Sequence, residues 1–389
     1  MSNPYICRMR PGIFILIALL ITLLFSSCRE RTSRNDVSGD KGNVRDILYA
    51  KGFSITDYGN YKKLEVLTPY PGANTGFTYY LVKQGQEVPE GLTESEIIEV
   101  PVQSIVCTST THIPLLEYLG VEEALKGFPN TDYISSRKVR QRINLGFVTD
   151  LGQEMSMNTE LLMALDPDVV MGYMMTGDLG QLGKIRQAGI PVVINAEYLE
   201  EHPHGRAEWI KFMGALVDRE DVADSVFHMI ESNYRVTLEK VKDVKSRPSV
   251  MSGVVYGDTW FLPGGNNYAA KLIDDAEGQY LWENESTSGF LEKSFESVYE
   301  RAYDVDFWVG VASYNSLQQL TEGDVRYANF KAFKTGRVYS YNNRMGAKGG
   351  NEYLELGYLR PDLILKDLVS IFHPDLSEDH ELYFFKKLD

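Results

Sequence analysis

Three cysteines in 389 residues leave little material for a disulfide framework, and only six histidines are present. A naked-metal site needs three or four His, Asp or Glu ligands that converge. The single close pair is His202-Pro203-His204, and the other four histidines are scattered, so no metal site is assigned. Positive charge is also short: 39 Lys and Arg against 54 Asp and Glu give a formal net charge of −15. Nucleic-acid binding wants a basic face, so that class is set aside. Catalytic signatures are missing too, with no G-x-S-x-G, H-E-x-x-H, P-loop or G-x-G-x-x-G. Gly264-Gly265 fits a phosphate nest, but a tight turn explains it as well. An exported enzyme is therefore the least favoured reading.

Only one long apolar run exists, Ile13 to Phe25, broken by Thr22 and preceded by Arg8 and Arg10. A basic start, a core of about a dozen apolar residues and a small-residue end describe a secretory leader, too short for a stable span. The stretch Leu24-Phe25-Ser26-Ser27-Cys28 resembles a bacterial lipoprotein box. That resemblance implies a leader over 1–27, cleavage before Cys28 and lipid attachment to its sulfur. Cys7 then leaves with the leader and Cys107 is the one remaining free thiol, so the exported chain must stand on its core. The net charge becomes −17 once Arg8 and Arg10 are gone. Residues 28–45 are polar and charged, and read as a flexible tether. About 345 residues remain beyond it, enough for two lobes with real cores.

What is there repeats. Val102–Cys107 reads as a buried strand leading into a helix near Ile113–Leu119, and Ser249–Tyr256 with a helix from about Asn267 to Ala276 repeats it. The stretch "NTELLMALDPDVVMGYM" drives an apolar helix through Asp166-Pro167-Asp168 into a strand. "SVYERAYDVDFWVGV" does so again. Leu179–Ala188 into Gly189–Ile194 has its counterpart in Tyr327–Lys334 into Thr335–Tyr339. Alternating helix and strand with short loops implies α/β lobes with mainly parallel sheets, at 101–200 and 248–389.

Between them, 201–247 is helical. Val222, Val226, Ile230, Tyr234 and Leu238 recur every four residues, and a helix from Glu220 to Val244 would reach roughly 37 Å. Such a rod braces two Rossmann-like lobes and limits their swing. Residues 46–100 lie outside the duplication. Tyr58–Val66 and Phe77–Val82 alternate as strands about a Pro69-Tyr70-Pro71-Gly72 turn, making a β-rich elaboration of the first lobe.

Five segments, in order, resemble the substrate-binding lipoproteins of bacterial metal-chelate ABC importers, the class III periplasmic binding proteins built on one helical backbone. They are "VQSIVCTSTTHIPLLEYLG", "NTELLMALDPDVVMGY", the helix after "HPHGRAEWIKF", "FLPGGNNYAAKLIDDAEGQYLW" and "GYLRPDLILKDLVSIFHPDL", and the likeness spans about 100–375. The resemblance implies a ligand cleft between the lobes and a receptor that hands an iron–siderophore-type or corrinoid chelate to an inner-membrane permease dimer. A vitamin B12-specific or haem-specific receptor, and then a free-metal (Zn/Mn/Fe) binder, remain open beside it. No intrinsic cofactor is implied. A monomer is expected, lipid-anchored and facing the periplasm.

Chelates present large, partly apolar shells, which call for aromatic surfaces and a few charges. Tyr173 and Met174 stand at a strand end, where open α/β sheets bind ligands. Trp260 follows the second lobe's first strand, and Trp282 falls where cobalamin-binding relatives place a large aromatic. Thr111 and His112 open the first lobe's helix; His112 either touches ligand or caps that helix. Arg137, in a loop holding four cations in six residues, and Arg344, in the Gly-rich loop "NNRMGAKGGNEY", suit anionic groups. The resemblance also implies one acidic permease-docking residue per lobe, near Asp178 and near Glu322 or Asp324. Trp209 and Trp308 are expected in the core.

Overall fold

The computed structural model describes residues 42–389 apart from 89–90, 93–95 and 378. The expected leader and the lipidation residue Cys28 lie outside the described residues. The protein holds two α/β lobes with parallel sheets. In the first, five parallel strands lie in the order Val192–Ile194, Val169–Gly172, Ile105–Cys107, Leu125–Phe128, Thr149–Asp150. In the second, Val338–Ser340, Phe307–Val309, Ser249–Ser252 and Gln279–Tyr280 repeat that order in parallel. Lys386–Lys387 is added antiparallel at the Val338 edge.

The duplication extends to hydrogen bonds. Helix Thr159–Leu165 ends on Asp166, which adopts the left-handed conformation at φ 45°, a turn that Asp tolerates better than bulkier residues. Asp168 then accepts the Gln103 and Ser104 amides (2.7 and 2.9 Å) and donates its own amide to Ser104 Oγ (2.9 Å). In the second lobe, Asp306 accepts the Ser249 amide and hydroxyl (3.0 and 2.9 Å) and donates its amide to Ser249 Oγ (2.9 Å). The second Asp of each Asp-x-Asp thus ties the start of its strand to the start of the neighbouring strand. This is how an apolar helix passes at once into a buried strand without orphaned amides.

Two sequence expectations need correction. Ser249–Tyr256 is not one strand: the chain breaks at Gly253 (φ 80°), where a Cβ would stand 1.9 Å from the Phe261 carbonyl oxygen. Val254–Tyr256 instead opens a three-stranded antiparallel sheet with Thr259–Pro263 and Phe290–Lys293. The cationic stretch 137–142 is not a loop either. Arg137–Asn144 is a helix, capped by Ser136 Oγ accepting the Val139 amide (3.1 Å).

The spanning helix is Glu220–Val241, 22 residues, about 33 Å long. Its buried face is Ala223, Phe227, Ile230, Tyr234, Thr237 and Val241, a spacing of three and four. The strict four-residue stripe read from sequence turns by about 40° per step, so it matches the core only near Ile230 and Tyr234. Val222, at its end, is 37% exposed. The helix holds both sides of the protein: Tyr49 Oη donates to Glu231 (2.7 Å) and Tyr234 Oη to Asp275 (2.6 Å).

The N-terminal elaboration is a five-stranded sheet, Asn43–Val44, Phe53–Asp57, Tyr61–Val66, Phe77–Lys83 and Ile97–Val100, antiparallel except for its last pair. Asn43–Val44 already pairs with 56–57, so order begins inside the stretch read as tether. Buried Glu208 fastens this sheet to the helical connection. It accepts the amides of Leu48, Tyr49 and Ala50 (2.8, 2.7 and 2.9 Å) and the Lys211 ammonium (2.7 Å).

Candidate functional site

Parallel strands leave their carboxyl ends without a continuing partner, and the loops that follow them form a natural crevice. In the first lobe Thr108–Thr110 follow Ile105–Cys107, Phe128–Asn130 end the Leu125–Phe128 strand, and Glu154 and Met155 lie just beyond Thr149–Asp150. Tyr173 follows Val169–Gly172. All of these residues line one cavity of about 580 Å3, inside the usual size of small-molecule sites. Its opposite wall comes from the second lobe: Gly349, Gly350, Asn351 and Leu354.

The walls meet because the second one is glycine-rich. A Cβ on Gly350 would sit 2.1 Å from the Tyr133 carbonyl oxygen, and one on Gly346 would sit 2.8 Å from Ser135 Cα. Glu355 reaches across as well: its carboxylate accepts the Ser135 and Ser136 amides (2.6 and 2.9 Å). Nearby, Arg360 donates to Tyr118 Oη (2.7 Å) while forking onto Asp362 (2.7 Å). On the hinge side the buried Arg206 guanidinium lies 4.0 and 4.3 Å from the ring centres of Tyr268 and Tyr358, and donates to the Tyr198 and Glu200 carbonyls (both 3.0 Å).

The lining carries three aromatic rings and one thioether, with neutral polar groups between. Tyr133, Tyr173, Phe128 and Met155 supply the apolar surface, and Met155 is 89% exposed, free to cover a solute. Among the described residues that line the cavity there is no lysine or arginine; its one charged side chain is Glu154. Burial, and then the hydrogen bond and charge of Glu154, push the Tyr173 phenol well above its ordinary range. Tyr173 is therefore a neutral hydrogen-bonding group at physiological pH. Behind it, Tyr198 packs edge-on at 6.4 Å and donates to the Met174 carbonyl. Thr111 donates to buried Glu197 and shares a 2.8 Å hydrogen bond with Ser109 Oγ. Burial also raises the Glu197 carboxyl, and its Oε2 has no partner.

Of the eight ligand residues expected from sequence, the structure places Tyr173 on the cavity. Thr111 stands one layer behind. Met174 is buried in the first lobe's outer apolar cluster. His112 is fully buried, and desolvation lowers its pKa to about 3, so it is a neutral core ring; the helix cap position belongs to Thr111. Trp260 and Trp282 correct the expectation most clearly. Trp260 is 0% exposed, donating to the Ser252 carbonyl (3.1 Å) and packed on Trp308 at 5.5 Å, and Trp282 is 2% exposed beneath Arg301. Both rings serve the second lobe's core. Arg137 is exposed at a helix start, and Arg344 lies over the Tyr383 ring at 4.0 Å; neither lines the cavity. Among the expected docking acids, Asp178 and Glu322 are exposed, whereas Asp324 is forked by Arg326 (2.7–3.1 Å).

Sequence reading missed Phe128, Tyr133, Glu154, Asn351 and Leu354. The strands that present the first three, Leu125–Phe128 and Thr149–Asp150, are short and carry no strong alternation. His202 and His204 are structural: His202 Nδ1 accepts the His204 amide (3.1 Å), and both rings stack on Tyr49. Among the described residues no cluster of three or more His, Cys, Asp or Glu is arranged to hold a metal ion, and no helix is long and apolar enough to cross a membrane.

Comparison with known proteins agrees with this architecture. Residues 105–345 match the profile of the family described as periplasmic binding protein. Two uncharacterised lipoproteins of Methanocaldococcus jannaschii are 26% and 25% identical to the chain, each alignment covering 96% of it and 95% and 99% of the relative. A periplasmic haem-binding protein from Roseiflexus sp. RS-1 superposes with a TM-score of 0.54 at 18% identity, covering 70% of this chain and 99% of its own. A molybdate periplasmic binding protein from Haemophilus influenzae gives 0.54 at 18% identity, over 74% and 92%. These two share the fold. With its two lobes, spanning helix and interlobe cleft, the chain belongs to the periplasmic binding protein family, the solute-binding components of ABC transporters rather than enzymes.

Proposed function

We propose that the protein captures a metal chelate lacking an anionic periphery, the corrinoid class before all others, in the cleft between Tyr173 and Gly349–Leu354. The observation that carries this reading is the absence of Lys and Arg among the described lining residues, together with the carboxylate of Glu154. Haem propionates and ferric catecholates need guanidinium or ammonium partners once desolvated. The two arginines that favoured them in sequence, Arg137 and Arg344, lie off the cavity. A neutral or cationic shell bearing amides suits Tyr133, Tyr173, Asn130 and Asn351 as stacking and hydrogen-bonding partners. The loaded receptor delivers its chelate to an ABC permease, with exposed Asp178 and Glu322 as the docking acids. Cys28 carries the lipid that holds the protein at the periplasmic face of the membrane.

Native mass spectrometry of protein purified from its own host, followed by calorimetry with cobalamin, haem, a ferric hydroxamate and a ferric catecholate, tests the reading. Tight binding of cobalamin or the hydroxamate, weakened about 10- to 100-fold by Tyr173→Ala, is the expected result. Tight binding of haem or the catecholate with none of cobalamin overturns it.

A further inference from the structure

Glu355 sits on the short helix Glu352–Leu356, directly after the cavity wall Gly349–Asn351 and beside the lining residue Leu354. Glu355 is 2% exposed, and among the described residues its carboxylate bonds no group of its own lobe; both partners are first-lobe amides, Ser135 and Ser136. Those amides lie between lining Tyr133 and the helix Arg137–Asn144. One buried side chain thus joins the two walls of the cleft at the point where Gly346 and Gly350 already press on 133–135.

We propose that Glu355 is a positioning residue that locks the cleft's second wall onto its first and couples closure to uptake of a proton. The inference rests on the cleft being the solute site, but its test needs no solute. A carboxylate that merely caps a helix is held ionised by the amides and the helix dipole. Here the opposing influences win. Burial, with the charge of Glu117 on the facing helix His112–Tyr118, outweighs the Ser135 and Ser136 amides and raises the Glu355 carboxyl to about 7. Glu117 is itself raised by burial, then relieved by Ser136 and Lys138 and reinforced by Glu122 and Glu352. Parting the walls would return Glu355 to water and to its ordinary 4.5. The closed form therefore holds the proton more tightly, so closure strengthens as pH falls and weakens as pH rises through 7. The closure constant therefore falls about tenfold between pH 6 and pH 8. The two amides donate to different oxygens of Glu355, and the protonated carboxyl keeps its carbonyl oxygen as an acceptor for one of them, so the contact is held by that bond at the acid end.

Amide hydrogen exchange of Ser135 and Ser136 in the full chain without added solute, corrected for the intrinsic pH dependence, reads the lock directly. The expected result is about tenfold greater protection at pH 6 than at pH 8. In Glu355→Gln that pH dependence disappears. In Glu117→Gln the midpoint moves to lower pH, because a repulsive neighbour is gone. Should Glu355→Gln fail to fold, the Glu117→Gln midpoint decides alone. Flat protection in the unmodified chain, an unchanged profile in Glu355→Gln, or an unmoved midpoint in Glu117→Gln overturns the proposal. Solute found outside the cleft with the exchange profile intact would sink the cleft assignment and leave the lock standing.

Discussion

Gly350→Ala adds one methyl at the tightest point between the cleft walls. Its Cβ would stand 2.1 Å from the Tyr133 carbonyl oxygen, 2.7 Å from the Tyr133 carbonyl carbon and 3.2 Å from that of Ile134. All three atoms are backbone, so no side chain can swing aside. An ordinary carbon–oxygen contact requires the walls to separate by about 1 Å, and overpacking of this kind costs about 1–3 kcal/mol. Because the clash exists only when the walls are together, the cost falls on closure, and solute affinity should drop about 5- to 150-fold. Isothermal titration with the solute retained from the host measures this. Lys348→Ala, an exposed change in the same loop, serves as control and should leave affinity unchanged. If Gly350→Ala binds within twofold of the unmodified chain, the wall contact does not govern binding and the reasoning is refuted.

Three further outcomes are expected. Glu208→Ala strips acceptors from three backbone amides and leaves the buried Lys211 ammonium without its carboxylate, with the Asp46 carbonyl at 3.2 Å remaining; denaturant unfolding should show a loss of about 3–5 kcal/mol, and a loss under 1 kcal/mol would contradict the anchoring role. Trp260→Ala should cost about 3–5 kcal/mol of stability yet leave solute affinity of the folded fraction unchanged; a selective loss of binding would return that ring to the site. Asp306 is buried in part, which alone would raise its carboxyl, but the Ser249 amide and hydroxyl and the Lys331 ammonium together hold it below the ordinary range. Its stabilisation is complete above the ordinary carboxylate pKa and is lost as pH falls through the depressed one. Asp306→Asn should therefore cost about 1–3 kcal/mol at neutral pH, with the gap to the unmodified chain closing below about pH 4 in pH-dependent melting.

The lobes, their parallel sheets and the bracing helix were legible because they rest on repetition and periodicity. The two Asp-x-Asp passages are the clearest case: 138 positions apart, Asp168 and Asp306 each accept the amide of a serine opening the neighbouring strand and return their own amide to that serine's hydroxyl. The site was harder to read, since a cleft is built from strand ends that come together only in three dimensions. Tyr173 was found because an apolar helix running through Asp166-Pro167-Asp168 into the four-residue strand Val169–Gly172 marked that strand's end. Phe128, Tyr133 and Glu154 end, follow or adjoin strands of two to four residues that no such helix-to-strand passage precedes. Trp260 and Trp282 misled because a tryptophan just past a strand or helix fits a ligand wall and a lobe core equally well. The added antiparallel sheet Val254–Tyr256, Thr259–Pro263 and Phe290–Lys293 turned Trp260 inward, and only Gly253 hinted at it. Glu355 gave no sign at all, as its partners lie about 220 residues away.

The central claim is that solute is held between the first lobe's strand ends and the glycine-rich wall of the second. A crystal structure of the protein carrying the solute it retains from its own host tests this most directly. The account predicts electron density in contact with Tyr133, Tyr173, Asn351 and Leu354, and none against Trp260 or Trp282. Density on the N-terminal sheet, or within either lobe's interior, would contradict it.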